Sequence, residues 1–395
     1  MRRRSVAVLA ISHFATDLNQ GVLPAMLPLF IVQRHFSYEV AAYLVMAISG
    51  ASCFLQPVFG WLADRRPSPW LAPAGVLVAG IAMAFVGVAS TETWLIVAAS
   101  VSGIGLAAFH PEGARLIHFV SGGRRGMGMS LFAVGGNIGF AVGPILAMGM
   151  LAWLGLAGSM LLIIPTVAIA AILIAELRNI PSGEPRHADE AATGQAEANE
   201  WRPFSLLMVA AVTRSLVFFA LNTFLPLYWI HVFGTSRDAG SSALSVFIFA
   251  GACGTLLGGR LGDRFRRVSV VTVALLCELP FLIALLLIGS AGPATLALVP
   301  LAIALFAPTP VMVVLGQEYL PSRLGVASGM MIGLAGTVGG LGTPLFGMLA
   351  DRFGLPASFF ALLLLAFVAP ALTFFLPTPR SARRDLRAEQ IEVEI

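Results

Sequence analysis

The sequence predicts an all-α integral membrane protein with twelve transmembrane helices in two six-helix halves and both termini on the cytoplasmic side. Three observations carry that expectation. Of the 395 residues, 58% are hydrophobic and 11% charged, where soluble domains run near a quarter charged. Apolar runs of about 20 residues, enough to cross roughly 30 Å of hydrocarbon as a helix, recur along the chain. They lie at 6–32, 39–63, 70–90, 94–116, 128–152, 155–176, 204–231, 239–261, 268–290, 293–316, 325–350 and 356–377. The cations are also one-sided. All 24 are arginines. With the N-terminus inside, Arg2, Arg3, Arg4, Arg65, Arg66, Arg124, Arg125, Arg264, Arg266, Arg267, Arg323 and the tail from Arg380 face the cytoplasm. Arg34, Arg237 and Arg352 fall outside, an asymmetry of the positive-inside kind.

The first run could be mistaken for a secretory signal, since three arginines precede it. It continues past Asp17 to Ile31 with no cleavage site near a short apolar core, so it is read as a retained span. The 41 glycines and 24 prolines would ruin soluble helices. In a membrane bundle, small residues let backbones approach, and neighbouring helices re-satisfy the groups that proline frees. Cys53, Cys253 and Cys277 lie inside spans without ligand spacing, and are read as buried apolar filler with no disulfide or metal. Residues 177–203, rich in Glu, Ala, Gly and Pro, read as a flexible linker. The chain therefore divides into a first half at 1–176, the linker at 177–203, a second half at 204–379 and a tail at 380–395.

The halves repeat at an offset of about 200 residues, consistent with the parallel half-repeats of secondary transporters. GWLADRR at 60–66 is answered by GRLGDRFRR at 259–267, and GGRRG at 122–126 by PSRLG at 321–325. Gly136, Gly139 and Pro144 recur as Gly336, Gly339 and Pro344. Over essentially its whole length the chain resembles the major facilitator superfamily. Gly60-x-x-x-Asp64-Arg65-Arg66 is similar to its loop motif between spans two and three, and Gly259-x-x-x-Asp263-Arg264-x-Arg266-Arg267 to the second-half copy. Gly139-x-x-x-Gly143-Pro144 is similar to the span-five motif of proton-driven exporters. SHFATDLNQ, FHPEGAR and SGGRRGMGMSLFAVGGNIGFAVGP together resemble the fosmidomycin-resistance group of drug exporters. Two departures stand out: Pro67-Ser68-Pro69 replaces the expected glycine and basic residues, and Ala99 occupies the place of the usual span-four arginine.

Ionisable groups at membrane depth are costly and are functional candidates by default. Asp17 falls near the middle of span one, with His13 one turn away on the same face. This pair is read as a proton carrier, and Glu278 in span nine as a further proton-coupling candidate. Arg214, near mid-depth in span seven, needs a carboxylate, carbonyls, water or an anionic substrate beside it. It is read as an anion-binding group or a bridge to Asp17, with Asn222, Gln20 and Asn137 as further substrate contacts. The resemblance implies charge networks at the cytoplasmic ends, so Asp64, Arg65, Glu112, Arg115, Arg124, Asp263, Arg264, Glu318 and Arg323 are read as gating residues. His110, next to Pro111, is placed at the edge of that gate as a candidate proton sensor. Like His118, it is judged too isolated to argue for a metal.

The resulting expectation is an inner-membrane, multi-pass proton/drug antiporter working by alternating access as a monomer. Its partners are a small-molecule substrate, with an anion among the candidates, and the lipid bilayer. The formal charge of +4 reflects topology and anionic headgroups, with no need to invoke nucleic acid. No cofactor is expected beyond the proton gradient, and no nucleophile–base pair, nucleotide loop or leaflet-facing catalytic set marks an enzyme. The rival on the same fold is uptake of a small organic anion by symport. A membrane sensor or lipid-modifying enzyme is the rival of another class.

Overall fold

The computed structural model describes residues 1–34, 38–66, 68–180 and 198–380. Most of the predicted linker and nearly all of the predicted tail lie outside the described residues. Every apolar run of the sequence corresponds to a helix or a broken helix. In the first half these are α1 (Arg3–Arg34), α2 (Tyr38–Arg65), α3 (Leu71–Val86), α4 (Glu92–Ser121), α5 (Arg125–Leu154) and α6 (Ile163–Leu177). A 3₁₀ stretch, Gly155–Leu162, joins the last two. The second half contains α7 (Trp201–His231), α8 (Arg237–Arg264), α9 (Arg267–Leu287) and α10 (Ala291–Phe306), then α11 (Pro308–Tyr319). After these come α12 (Leu324–Gly329), α13 (Ala335–Phe353), α14 (Leu355–Ala366) and α15 (Val368–Thr373). Among the described residues, nine helical stretches are long and apolar enough to cross a membrane. One of them, Arg125–Leu177, has 53 residues and holds two predicted spans.

Local chemistry sets the helix ends. The Thr91 hydroxyl accepts from the Trp94 N–H at 3.3 Å, and Glu92 follows in the first turn, the arrangement that satisfies and complements a helix N-terminus. The same helix stops at Gly122, whose φ of 55° suits a residue without Cβ. Pro111 does not end α4. The helix runs on to Ser121, past the sequence-predicted end at residue 116, so the FHPEGAR stretch lies inside the helix rather than at its end. The predicted tenth span breaks between α10 and α11 at Ala307, with Pro308 opening the next helix. A π-helical turn at Met330–Leu334 joins α12 to α13.

The chain forms two compact units, Met1–Gly194 with Arg323–Leu334, and Gln195–Ser322 with Ala335–Ile395. The stretch 323–334 thus groups with α1–α6. Inside the first unit α1 packs on α5, and α2 and α3 on α4. Inside the second, α7 packs on α13 and α8 on α10. The pairings α1–α5 and α2–α4 therefore recur as α7–α13 and α8–α10, so the sequence repeat is also a packing repeat. Each unit has its own apolar core, with Leu23, Met26, Leu44, Ile48, Met83 and Leu106 in the first. Trp229, Phe247, Leu301, Phe306 and Phe359 anchor the second. Cys253 and Cys277 are exposed and Cys53 is half-buried, which corrects their reading as buried filler.

The α1–α5 contact is made backbone to backbone. Cβ atoms on Gly135 and Gly139 would collide with the carbonyl oxygens of Ala10 and Phe14, and one on Gly143 would lie 2.7 Å from that of Leu18. Glycines four apart on α5 thus meet carbonyls four apart on α1, the small-residue approach that membrane helices use where no hydrophobic force drives them together.

Candidate functional site

Asp17 lies about 21 Å along an α1 of roughly 48 Å, counting 1.5 Å per residue, and so sits near the middle of that helix. His13, one turn before it, brings its Nε2 to 3.2 Å from Asp17 Oδ2. The other carboxylate oxygen, Oδ1, lies 2.9 Å from Nε2 of His110 on α4. His13 is oriented from behind: its Nδ1 donates to the Phe132 carbonyl on α5 at 2.7 Å, and its ring stacks on that of Phe132 at 4.1 Å. The His13 and His110 rings meet edge to face at 5.0 Å. Three helices thus converge on one carboxylate.

This corrects the reading of His110 as isolated and gate-bound. The ligating atoms of His13, Asp17 and His110 lie within 4.8 Å of one another, and the two hydrogen bonds to Asp17 account for that closeness without an ion. Sequence reasoning also missed the part played by Gly136. A Cβ there would sit 2.5 Å from both Asp17 Oδ2 and His13 Nε2, so this glycine holds open the space for their contact. The signal for His110 was a histidine beside a proline inside an apolar run, which shows burial but names no partner.

Further along α4, Glu112 and Arg115 form a two-point pair. Arg115 Nε donates to Oε2 at 2.8 Å and Nη2 to Oε1 at 2.7 Å. Both side chains are buried, with Glu112 fully enclosed, and the guanidinium lies over the Phe119 ring at 5.3 Å. Asp64, at the end of α2, accepts from the backbone N–H groups of Gly325 at 2.7 Å and Val326 at 2.8 Å. It therefore serves as an N-terminal cap for α12, supplied by another helix. Arg115 and Arg323 both exert their charge on Asp64. Arg65 instead stacks over Trp61 at 4.0 Å, and Arg124 is the residue preceding α5.

In the second unit, Arg214 Nη1 donates to the Leu305 carbonyl at 3.1 Å and interacts electrostatically with Glu278. Glu278 is buried and its Oε1 has no hydrogen-bond partner among the described residues. Arg214 thus ties α7 to α10, as Asp17 ties α1 to α4. At the helix ends Arg267 joins two carboxylates, Glu318 at 2.6 Å and Asp263 at 4.0 Å. Arg267 was absent from the sequence-based gating set, and it is the partner that Glu318 and Asp263 share. Arg264 lies over Phe265 at 5.6 Å. Gln20 and Asn222 are half-buried and Asn137 is exposed.

The chain is similar to known proteins both in sequence and in fold. The chain is 28% identical to the fosmidomycin resistance protein of Escherichia coli K12, over 95% of this chain and 93% of that one. It is 29% identical to the uncharacterized MFS-type transporter YfnC of Bacillus subtilis 168, with the same coverages. The fold matches a crystal structure of the E. coli fucose:proton symporter FucP, determined on a single-residue variant, with a TM-score of 0.74. That match covers 94% of this chain and 98% of that one at 15% identity. The Major Facilitator Superfamily family model matches residues 9–341 and 245–394. Matched by that model over nearly its full length, the chain belongs to the Major Facilitator Superfamily and is a membrane transporter.

Proposed function

We propose that the protein is a proton-coupled secondary transporter of a small organic anion, working by alternating access. In this reading it has twelve spans, both termini in the cytoplasm and a place in the bacterial inner membrane. The observation that carries the reading is the Asp17 carboxylate at mid-depth with an imidazole on each oxygen. Such a group is costly in a membrane and is a functional candidate by default, and histidine changes charge in the physiological pH range. Loading and unloading a proton there changes the hydrogen bonds that join spans one, four and five. Arg214 supports an anionic substrate: a permanent cation at mid-depth, it spends one N–H on a carbonyl and keeps donors for a planar or tetrahedral anion. Gln20, Asn137 and Asn222 are proposed as further substrate contacts, with Glu278 balancing Arg214 when no anion is bound. Asp64, Glu112, Arg115 and the Arg267 cluster are proposed as the gate at the cytoplasmic ends.

Two directions fit this core. Uptake by symport is supported by the anion-suited arginine and by the shared fold with a proton symporter. Export is supported by likeness along the whole length to a fosmidomycin resistance protein. Purified protein in liposomes, tested with labelled fosmidomycin and a panel of small organic phosphates under an imposed pH gradient, separates them. Substrate moving with the protons indicates symport, and substrate moving against them indicates exchange. Asp17→Asn should abolish gradient-driven accumulation while leaving substrate exchange at equal pH. Wild-type protein that moves no protons with any substrate would refute the coupling.

A further inference from the structure

We propose that His110 is a neutral hydrogen-bond donor that holds Asp17 ionised, so that the cluster carries a single exchangeable proton, shared between His13 and Asp17. This rests on the proton-coupled reading for its role in transport, and on geometry for its content.

The protons can be counted. The Phe132 carbonyl can only accept, so His13 Nδ1, 2.7 Å away, must carry a hydrogen. That hydrogen is fixed by the fold. His13 Nε2 faces Asp17 Oδ2 at 3.2 Å, and a contact between two bare lone pairs would be repulsive, so one proton lies between them. It sits on the imidazole, because a carboxylate whose other oxygen also faces a donor is favoured in its charged form. His110 Nε2 faces Oδ1 at 2.9 Å, which requires a second proton. His110 Nδ1 is buried with no hydrogen-bond partner among the described residues. A proton there would create an unpaired donor and a second cation in an apolar setting, both unfavourable. His110 is therefore the neutral Nε2–H form, and the cluster as a whole is neutral: imidazolium, carboxylate and imidazole.

Other charged groups on the surrounding helices are already engaged or distant. On α4, Glu112 and Arg115 satisfy each other. On α6, Glu176 is held by Ser5 at 2.7 Å and Arg4 at 3.0 Å. On α2, Asp64 is taken by Gly325 and Val326. Helix α3 has no ionisable residue, and α5 has only Arg125, at its first position. Removing the shared proton leaves His13 Nε2 and Asp17 Oδ2 as facing lone pairs, and that contact opens. The His110–Asp17 bond remains. Deprotonation thus separates α1's own pair while keeping α1 fastened to α4, and His110 sets the pH at which this happens. His110 is a positioning residue.

The test is ¹⁵N NMR of histidine-labelled full-length protein in lipid bilayers across the neutral pH range, with signals assigned through His13→Gln and His110→Gln. His110 is expected to remain in the Nε2–H form throughout, while His13 loses its Nε2 proton as pH rises. In His110→Ala the carboxylate loses a donor and holds the shared proton more tightly. The His13 transition should then move up by about one to two pH units, the equivalent of one hydrogen bond to a charged group. His110→Gln, whose amide keeps an N–H donor, should restore a transition near the wild-type one. A doubly protonated or Nδ1–H His110 in the wild-type spectrum would overturn the proposal, and needs no variant to fold. So would His110→Ala titrating at the wild-type pH. Failure of proton transport in liposomes sinks the transport reading and leaves the tautomer result standing. A coupled wild type with Nδ1–H on His110 sinks only this inference.

Discussion

Gly136 stands against Asp17 closely enough that a single methyl group between them would have 2.5 Å to occupy. Gly136→Ala should therefore push Asp17 and His13 apart without altering either. The expected outcome is a folded protein, destabilised by about 1–3 kcal/mol as overpacked interiors are, that has lost gradient-driven transport. Melting in detergent and pH-jump transport measure the two effects separately. Full coupling in this variant would show that the space at Gly136 is not needed by the pair.

Glu112 and Arg115 should behave as a unit. Removing one partner of a buried ion pair leaves an uncompensated charge and costs about 3–5 kcal/mol, whereas replacing both with apolar residues is often neutral. Glu112→Gln and Arg115→Met should each lower the melting temperature sharply, and the double variant Glu112→Leu/Arg115→Met should recover much of the loss. Additive losses would mean that each side chain has its own separate partner.

Asp64 contributes two acceptors to the start of α12, and an asparagine in its place could contribute only one. Asp64→Asn should therefore release one of the amides of Gly325 and Val326 and weaken the charge–dipole attraction on the other. Hydrogen exchange at those two amides should accelerate by roughly tenfold, in keeping with the loss of a charged hydrogen bond. Unchanged protection there would show that packing alone holds α12.

Arg214 and Glu278 should differ in what their loss affects. Arg214→Gln removes the proposed anion contact and should raise KM for an anionic substrate at least about tenfold, the worth of one charged hydrogen bond. Glu278→Gln leaves the arginine without its balancing carboxylate and should lower KM for the same substrate. Liposome uptake over a range of substrate concentrations reads both. An Arg214→Gln variant with wild-type KM would remove Arg214 from the substrate site.

The helices were legible because a span is a local property. About twenty apolar residues suffice to form one, and all twelve runs found helices. The His13–Asp17 contact was legible for the same reason, as neighbours four apart on a helix. His110 was not, because it lies 93 residues away and its meeting with Asp17 depends on how α4 packs beside α1. Arg267 was missed on similar grounds: a row of arginines at a helix end looks like topology until one of them is found holding Glu318. The π-helical turn at Met330–Leu334 left no mark in the sequence, since an extra residue in a helical turn changes neither composition nor length of an apolar run.

The contact between α1 and α5 has a consequence for how this protein can vary. At most protein interfaces, an enlarged side chain on one face can be accommodated by trimming its neighbour on the other. Here the atoms that Gly135, Gly139 and Gly143 meet are the carbonyl oxygens of Ala10, Phe14 and Leu18, and every amino acid carries that oxygen. No substitution at 10, 14 or 18 can make room. A glycine lost from this stripe has no compensating change across the contact, only reversion or a displaced helix, and the displaced helix would carry Asp17 with it.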